Sequence, residues 1–210
     1  MIGFQTEKKL LRQGYRHLAG LDEVGRGSLV GPVVAAAVVF GREFFFRKKP
    51  IWTEEVNDSK LLNSTKRMEL ARLILKNASD LGIGYATHLE VDRLNIFRAS
   101  QLAMKRALED LNSPPDMILV DGNPLKGIDY CQMAVPKGDR KVFSIAAASI
   151  VAKVFRDGLI KMLDEIYPGY DFCQNKGYAT EAHYQALEKN GPCFLHRKSF
   201  KLFRDKVLIK

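Results

Sequence analysis

Two adjacent carboxylates, Asp22 and Glu23, close an apolar run and are followed at once by Gly25-Arg26-Gly27. Acids at the mouth of a buried strand are costly unless something pairs with them. A divalent cation is the natural partner, because hard oxygen ligands suit Mg²⁺ and Mn²⁺. The glycines let a backbone come close to a ligand, and Arg26 stands beside them to meet a phosphate. Taken alone, the two acids suit a solvated loop equally well, and Gly-x-Gly suits a simple turn. The segment is not a dinucleotide fingerprint. Gly25, Gly27 and Gly31 do not give G-x-G-x-x-G, and a second strand follows rather than a helix.

Elements able to position these groups are legible on either side. Residues 15–22 read as a short strand entering the core, and 30–40 form a nearly continuous Val-rich run, as in a central strand buried on both faces. A polar loop with Pro50 and Asn57 follows. Asn63 or Ser64 then caps a helix to about Asn77, with Met68, Leu70, Ala71, Ile74 and Leu75 toward the core. Residues 81–87 resemble a strand, and 95–111 have helical spacing at Ala99, Leu102, Ala103, Ala107 and Leu111. Strands at 117–120 and 130–136 lead into Asp121-Gly122 and Lys137-Gly138-Asp139. A long helix follows from about Ser144, with Ile145, Ala148, Ala152, Phe155 and Leu159 on one stripe, and Thr180 caps a last helix. Early strands followed by alternating strands and helices predict an α/β fold with a mixed sheet. Ligands gather at strand ends in such sheets. Asp22, Asp121 and Asp139 come from three segments that all end there, so their convergence says more than any one of them. Asp22 and Glu23 point to opposite faces unless the strand stops at them, and Gly25 is placed to stop it.

At 210 residues the chain is expected to form a single domain, residues 1–210, with a helical, basic C-terminal part from about 165. Cys131, Cys173 and Cys193 are odd in number and have no metal-ligand spacing, so reduced thiols and a cytoplasmic location are expected. The polar N-terminus lacks the apolar core of a signal peptide. The apolar run 33–40 is too short to span a bilayer, so no membrane partner is expected. The net charge is +9. Residues 196–210 carry six Lys and Arg against Asp205 alone, interleaved with Phe200 and Phe203. Such a tail fits a phosphate backbone; a merely solubilising tail is the bland alternative.

Together these segments resemble the type 2 ribonucleases H, specifically bacterial ribonuclease HII. The resemblance rests on Gly20-Leu-Asp-Glu-Val-Gly-Arg-Gly27, Asn57-Asp-Ser-Lys60, Val120-Asp-Gly-Asn123, Lys137-Gly-Asp139, Ala146-Ala-Ala-Ser-Ile-Val-Ala-Lys153 with Arg156-Asp157, Lys176-Gly-Tyr178 and His196-Arg-Lys-Ser-Phe200. Their order and approximate spacing are those of the family. The resemblance implies a ribonuclease H-like fold, a five-stranded mixed sheet flanked by helices with a helical C-terminal part. The related type 3 enzymes carry an added N-terminal domain. Only 21 residues precede Asp22, so type 2 is expected.

The resemblance also implies roles. Asp22, Glu23, Asp121 and Asp139 match the four catalytic carboxylates, which hold Mn²⁺ or Mg²⁺, two ions during catalysis. One ion activates the attacking water and the other stabilises the leaving 3′ oxygen. Asp157 is a rival fourth ligand, but its place in a helix near Lys153 suits an ion pair better. Gly25, Arg26 and Gly27 match the loop that reads a ribose 2′ hydroxyl. Tyr178 matches the tyrosine that packs on the next sugar. Lys60, Ser149, Lys153, Arg197 and Lys198 are candidate substrate contacts, and His17, His88 and His183 fit no cluster. Ala179 stands where proline is usual, and Leu61 where a second lysine is common.

The implied function is metal-dependent cleavage of the RNA strand of RNA–DNA hybrids, and cleavage 5′ to single ribonucleotides in duplex DNA. A monomer is expected. A non-catalytic hybrid-binding protein would use the basic tail equally well but gains nothing from carboxylates facing phosphates. A DNA nuclease or integrase on the same fold has no use for a ribose-reading loop.

Overall fold

The computed structural model of the chain describes residues 2–57 and 59–203. Five strands form one mixed sheet in the order β3-β2-β1-β4-β5. These are β1 (Leu18–Val24), β2 (Val33–Val39), β3 (Asp80–Ala86), β4 (Met117–Asp121) and β5 (Gln132–Val135). The first three pair antiparallel, and β4 and β5 add in parallel beside β1. The helices are α1 (Gln5–Arg12), α2 (Arg42–Phe46), α3 (Ser64–Asn77), α4 (His88–Leu94), α5 (Ile96–Glu109), α6 (Phe143–Ile166), α7 (Phe172–Asn175) and α8 (Glu181–Asn190).

Alternation along the strands divides the interior between two faces. Leu18 and Val24 of β1 join Val34, Ala36 and Val38 of β2 in one core, closed by Phe143, Ile145 and Ala148 of α6. Ala19, Leu21, Ala35 and Ala37 face the other way, against Ala99, Ala103 and Ala107 of α5. Every residue of β2 is buried, as its unbroken apolar run implies. A third core beneath α7 and α8 gathers Leu29, Val30, Ile160, Phe172 and Leu187.

Most predicted elements appear, with instructive shifts. α3 begins where its cap predicts, the Asn63 side chain accepting the Lys66 N–H at 2.8 Å. Met68 and Leu75 are exposed rather than inward, and Arg67 takes an inward place on that helix. The helix expected over 95–111 is α5, and a short helix that was not expected, α4, precedes it and meets it at Asn95. Asn95 has φ 68° and caps α5 through the Arg98 N–H; a positive φ is uncommon outside glycine, and asparagine is among the residues that most often adopt one. Phe155 is exposed, whereas Arg156 beside it is buried. α1 has no counterpart among the predicted elements, and it places Glu7 at the start of α6. There Glu7 accepts the Ser144 N–H at 2.9 Å and the Ser144 hydroxyl at 3.1 Å, a carboxyl where a helix dipole favours one. Among the described residues no helix is long and apolar enough to cross a membrane. Asp58 and the basic positions Arg204, Lys206 and Lys210 lie outside the described residues.

Candidate active site

The parallel pairing of β1 with β4 brings the acids together. The last paired residues are Leu21 and Val120, so Asp22 and Asp121 stand one step further along neighbouring strands. Because β1 runs on to Val24 rather than stopping at the acids, Asp22 and Glu23 leave the strand on opposite faces. Gly25 does end the strand, as expected, but only after Val24, too late for the two acids to share a face. Asp22 lies on the α6 face, where Ser149 hydrogen-bonds its carboxyl. Glu23 lies on the α5 face, in a pocket shared with Arg26, Ser100, Gln101 and Asp121.

These carboxyls are electrostatically uncomfortable. Burial, then the nearby charges of Glu23 and Asp121, push Asp22 well above the usual carboxylate range. Glu23 is also raised, by burial first and by Asp121, against the opposing pull of Arg26. In this arrangement each acid is turned to a protein donor. Asp22 Oδ1 accepts the Glu23 N–H at 2.7 Å, Glu23 Oε1 accepts from Arg26 at 3.0 Å, and Asp121 Oδ1 accepts the Gly138 N–H at 2.6 Å. Among the described residues no three Asp, Glu, His or Cys side chains enclose a single ligating point. The donor set still fits a hard divalent ion: oxygen-only ligands, sequestered from water and repelling one another. The Gly138 N–H bond ties β4 to the turn Gly138–Arg140, which carries Asp139.

Asp157 does not join the acids. It pairs with Lys153 at 2.7 Å, four residues back on α6, and with Arg67 at 3.5 Å. That pairing also withdraws Lys153, which is 9% exposed, from free display. Ser149 is buried and links Asp22 to Ser59, whose hydroxyl lies 2.9 Å from its own. It therefore positions a carboxylate, and it ties Ser59 to α6. Lys60 and Lys198 are exposed, as phosphate contacts require.

Arg197 departs from its expected place. It is fully buried, and its guanidinium donates to the carbonyls of Arg26 and Gly31 at 3.0 Å each. Burial and the neighbouring Arg156 push its pKa down to about 9. Arg197 thus holds the Gly25-Arg26-Gly27 loop from behind rather than touching phosphate. Arg156 does the same from another side. It donates to Pro32 O, Val30 O, Lys176 O and the Ser28 hydroxyl. An isolated β-bridge joins Ser28 to Tyr178, and a second joins Val30 to His196. The Gly-Arg-Gly loop and the Tyr178 loop are consequently one unit. Gly25, at φ +91°, leaves its absent Cβ only 2.2 Å from Arg156 Nε, so no other residue fits there while Arg156 keeps its place. The half-buried Tyr178 ring lies 5.8 Å from Lys153 Nζ and 5.6 Å from Arg156 Cζ.

Sequence reasoning gives His183 no role, and the fold supplies one. The Cys193 N–H reaches His196 Nδ1 at 2.9 Å. That bond makes His196 Nε2 the proton carrier, facing His183 Nε2 at 3.1 Å. His183 must then carry its proton on Nδ1, 2.9 Å from the Tyr178 carbonyl. The chain of bonds fixes both tautomers and requires both rings neutral. The two histidines are thirteen residues apart in sequence, so no local spacing marks them as a pair.

Burial, and then the facing His183, lower His196 to about 4 from its ordinary 6.5; burial lowers His183 as well. In this window the unfolded chain takes up the proton and the folded one resists it, so stability should decline as pH falls from about 6.5 to about 4. Thermal melts across that range test this. The decline should be shallower in His196→Gln, and parallel curves would place the effect elsewhere.

A larger apolar groove of about 560 Å³ lies between α4 and α6, lined by Phe155, Met162, Ile166 and Phe194. It shares no residue with the acids.

The family model described as Ribonuclease HII matches residues 19–203. A ribonuclease HII of Listeria innocua is 46% identical over 202 residues, 96% of this chain and 74% of its own length. Among solved structures, the ribonuclease H2 from Pyrococcus horikoshii OT3 superposes with a TM-score of 0.71 at 23% identity, covering 89% of this chain and 94% of that one. Bst-RNase HIII in complex with Mn²⁺ gives 0.67 at 22% identity, covering 90% and 68%. The two structures share the fold, and the family match and the Listeria relative go further: the chain belongs to the ribonuclease HII family and is an endoribonuclease.

Proposed function

We propose that the protein cleaves the RNA strand of RNA–DNA hybrids and cuts duplex DNA on the 5′ side of a single embedded ribonucleotide, leaving 3′-hydroxyl and 5′-phosphate ends. The observation that carries this reading is the joining of the Gly25-Arg26-Gly27 loop to the Tyr178 loop beside the acids. One segment offers backbone groups to a 2′ hydroxyl and the other a ring to the next sugar. Their fixed separation is what recognition of an RNA-to-DNA step requires.

The residues that would hold metal are Asp22, Glu23, Asp121 and Asp139. Mn²⁺ or Mg²⁺ there, as two ions, would supply an activated water and a stabilised leaving oxygen. Manganese in the Bst-RNase HIII structure supports that choice. The protein's own part is positioning. Ser149 orients Asp22, the Gly138 N–H orients Asp121, and the exposed Arg26 is placed to meet a phosphate. The protein acts as a cytoplasmic monomer that removes ribonucleotides from DNA. The test is one cleavage assay on three duplexes: one ribonucleotide in DNA, a full hybrid and plain DNA. Cutting of the first two, and not of the third, is the expected outcome.

Asp139 and Asp157 are separated by their variants. Asp139→Asn should lower turnover by orders of magnitude at saturating metal. Asp157→Asn strands Lys153 and Arg67 without their counter-charge, so it should cost about 0.5–3 kcal/mol of stability and spare turnover. A chemical melt and a turnover measurement on each variant decide it, and the reverse pattern would exchange their roles.

A further inference from the structure

The carboxylate pocket continues into a second depression, of about 330 Å³, on the outer side of α5. Phe97 and Gln101 line both. Beyond them the second depression is lined by Arg98, Lys105, Lys126 and Leu102. Three cations and no carboxylate line it, although Glu23 and Asp121 both line the adjoining pocket. Phe97 is 38% exposed at the junction. The floor is held in place rather than left to long side chains. Gln101 Nε2 donates to Pro124 O at 3.2 Å, and Lys105 Nζ donates to Gly127 O at 3.1 Å. Both carbonyls belong to the segment that runs on directly from Asp121.

We infer that this depression is a second nucleic-acid subsite, which takes the phosphodiester backbone of the substrate strand after it has crossed the carboxylates. The inference rests on the proposed endonuclease reading and adds the path of the strand. Three features carry it. Cations without acids match a polyanion and disfavour other ligands of that size. An exposed ring beside cations is how proteins hold a strand without reading its sequence, the ring taking a base or sugar and the cations the phosphates. The span also fits: Arg98 and Lys105 are two helical turns apart, about 10 Å along the axis, enough to meet more than one phosphate of a strand. The position gives a direction. Tyr178 and Lys153 stand on the α6 side of the sheet, and α5 packs on the opposite face. A strand seated on Tyr178 at one side of the acids therefore leaves over α5 at the other.

The test is the salt dependence of binding to a fluorescent duplex containing one ribonucleotide, measured in EDTA so that no cleavage occurs. The triple variant Arg98→Gln/Lys105→Gln/Lys126→Gln should lower the log–log salt slope by about 0.9 for each phosphate that the protein ceases to neutralise. KM should rise while turnover at saturating substrate stays unchanged. Lys105 also supports the 122–127 segment, so the double variant Arg98→Gln/Lys126→Gln, confined to exposed residues, is measured beside it. Its slope should fall by about two-thirds as much, since it removes two of the three cations. Shortening the duplex from one end should abolish the difference between variant and parent, and shortening it from the other end should not. An unchanged slope overturns the inference. So does a loss indifferent to which end is shortened, since that is the mark of a diffuse field. Failure of the parent protein to cut any ribonucleotide-containing duplex would sink the endonuclease reading instead, and the binding slopes would still report on the depression.

Discussion

Asp121→Asn should remove cleavage, by roughly 10²–10³-fold at the least, the scale on which losing one preorganised charge-stabilising group is felt. Asp121 stands at the centre of the cluster. It lies one step past the last β1–β4 pair and acts electrostatically on both Asp22 and Glu23. Asparagine keeps the shape and the Oδ1 that accepts the Gly138 N–H at 2.6 Å, so the link from β4 to the Asp139 turn survives. What is lost is a charge. In the metal-free protein that charge is a burden, because it helps to raise the carboxyls of both neighbours. A carboxyl raised on folding contributes stability at low pH that is lost as pH climbs through its folded pKa. Asp121→Asn should therefore melt no lower than the parent at neutral pH in EDTA, and its advantage should shrink as pH is lowered. Turnover near that of the parent would sink the assignment of the carboxylate cluster, whatever the melting curves show.

Replacing one ribose by deoxyribose in a duplex that is otherwise DNA should abolish cutting, by roughly 10⁴-fold or more, while binding weakens only modestly. A site built to hydrogen-bond a hydroxyl is left with unpaired polar groups when the hydroxyl is absent, and discrimination of that size follows. Phosphate contacts are indifferent to the change and carry most of the affinity. The rigidity of the reading loop makes so large an effect reasonable. Two buried guanidiniums, Arg156 and Arg197, donate to its backbone and to the residues just beyond it. The bridge from Ser28 to Tyr178 holds it at a fixed distance from the ring. Tyr178→Ala should reduce cutting at the single-ribonucleotide junction more than in an all-RNA hybrid strand. A requirement for several consecutive ribonucleotides would show that the loop does not read one sugar.

The sequence by itself determined a good deal about this protein. Periodicity fixed the strand and helix order, because a strand buried on both faces reads as an unbroken run like 33–39 and a helix repeats its apolar positions every three or four residues. Motifs in register determined the family, and residues 19–203 match it. The acids at strand ends were legible because a carboxylate beside a buried run is expensive and so conspicuous. What only tertiary structure decided were the partnerships between distant segments. No local pattern distinguishes a phosphate-binding arginine from one that props a loop, and Arg197 proved to be the second because residues 26–31 fold across it. The split of Asp22 and Glu23 between two faces depended on how far β1 continues, which is set by its pairing with β2 out to Val24 and Val34. His183 acquired a role only when His196 was brought to 3.1 Å. In each case the deciding energy is the burial of a polar group, which must find its partner wherever the chain has placed one. That choice is made in space and leaves no spacing in the sequence.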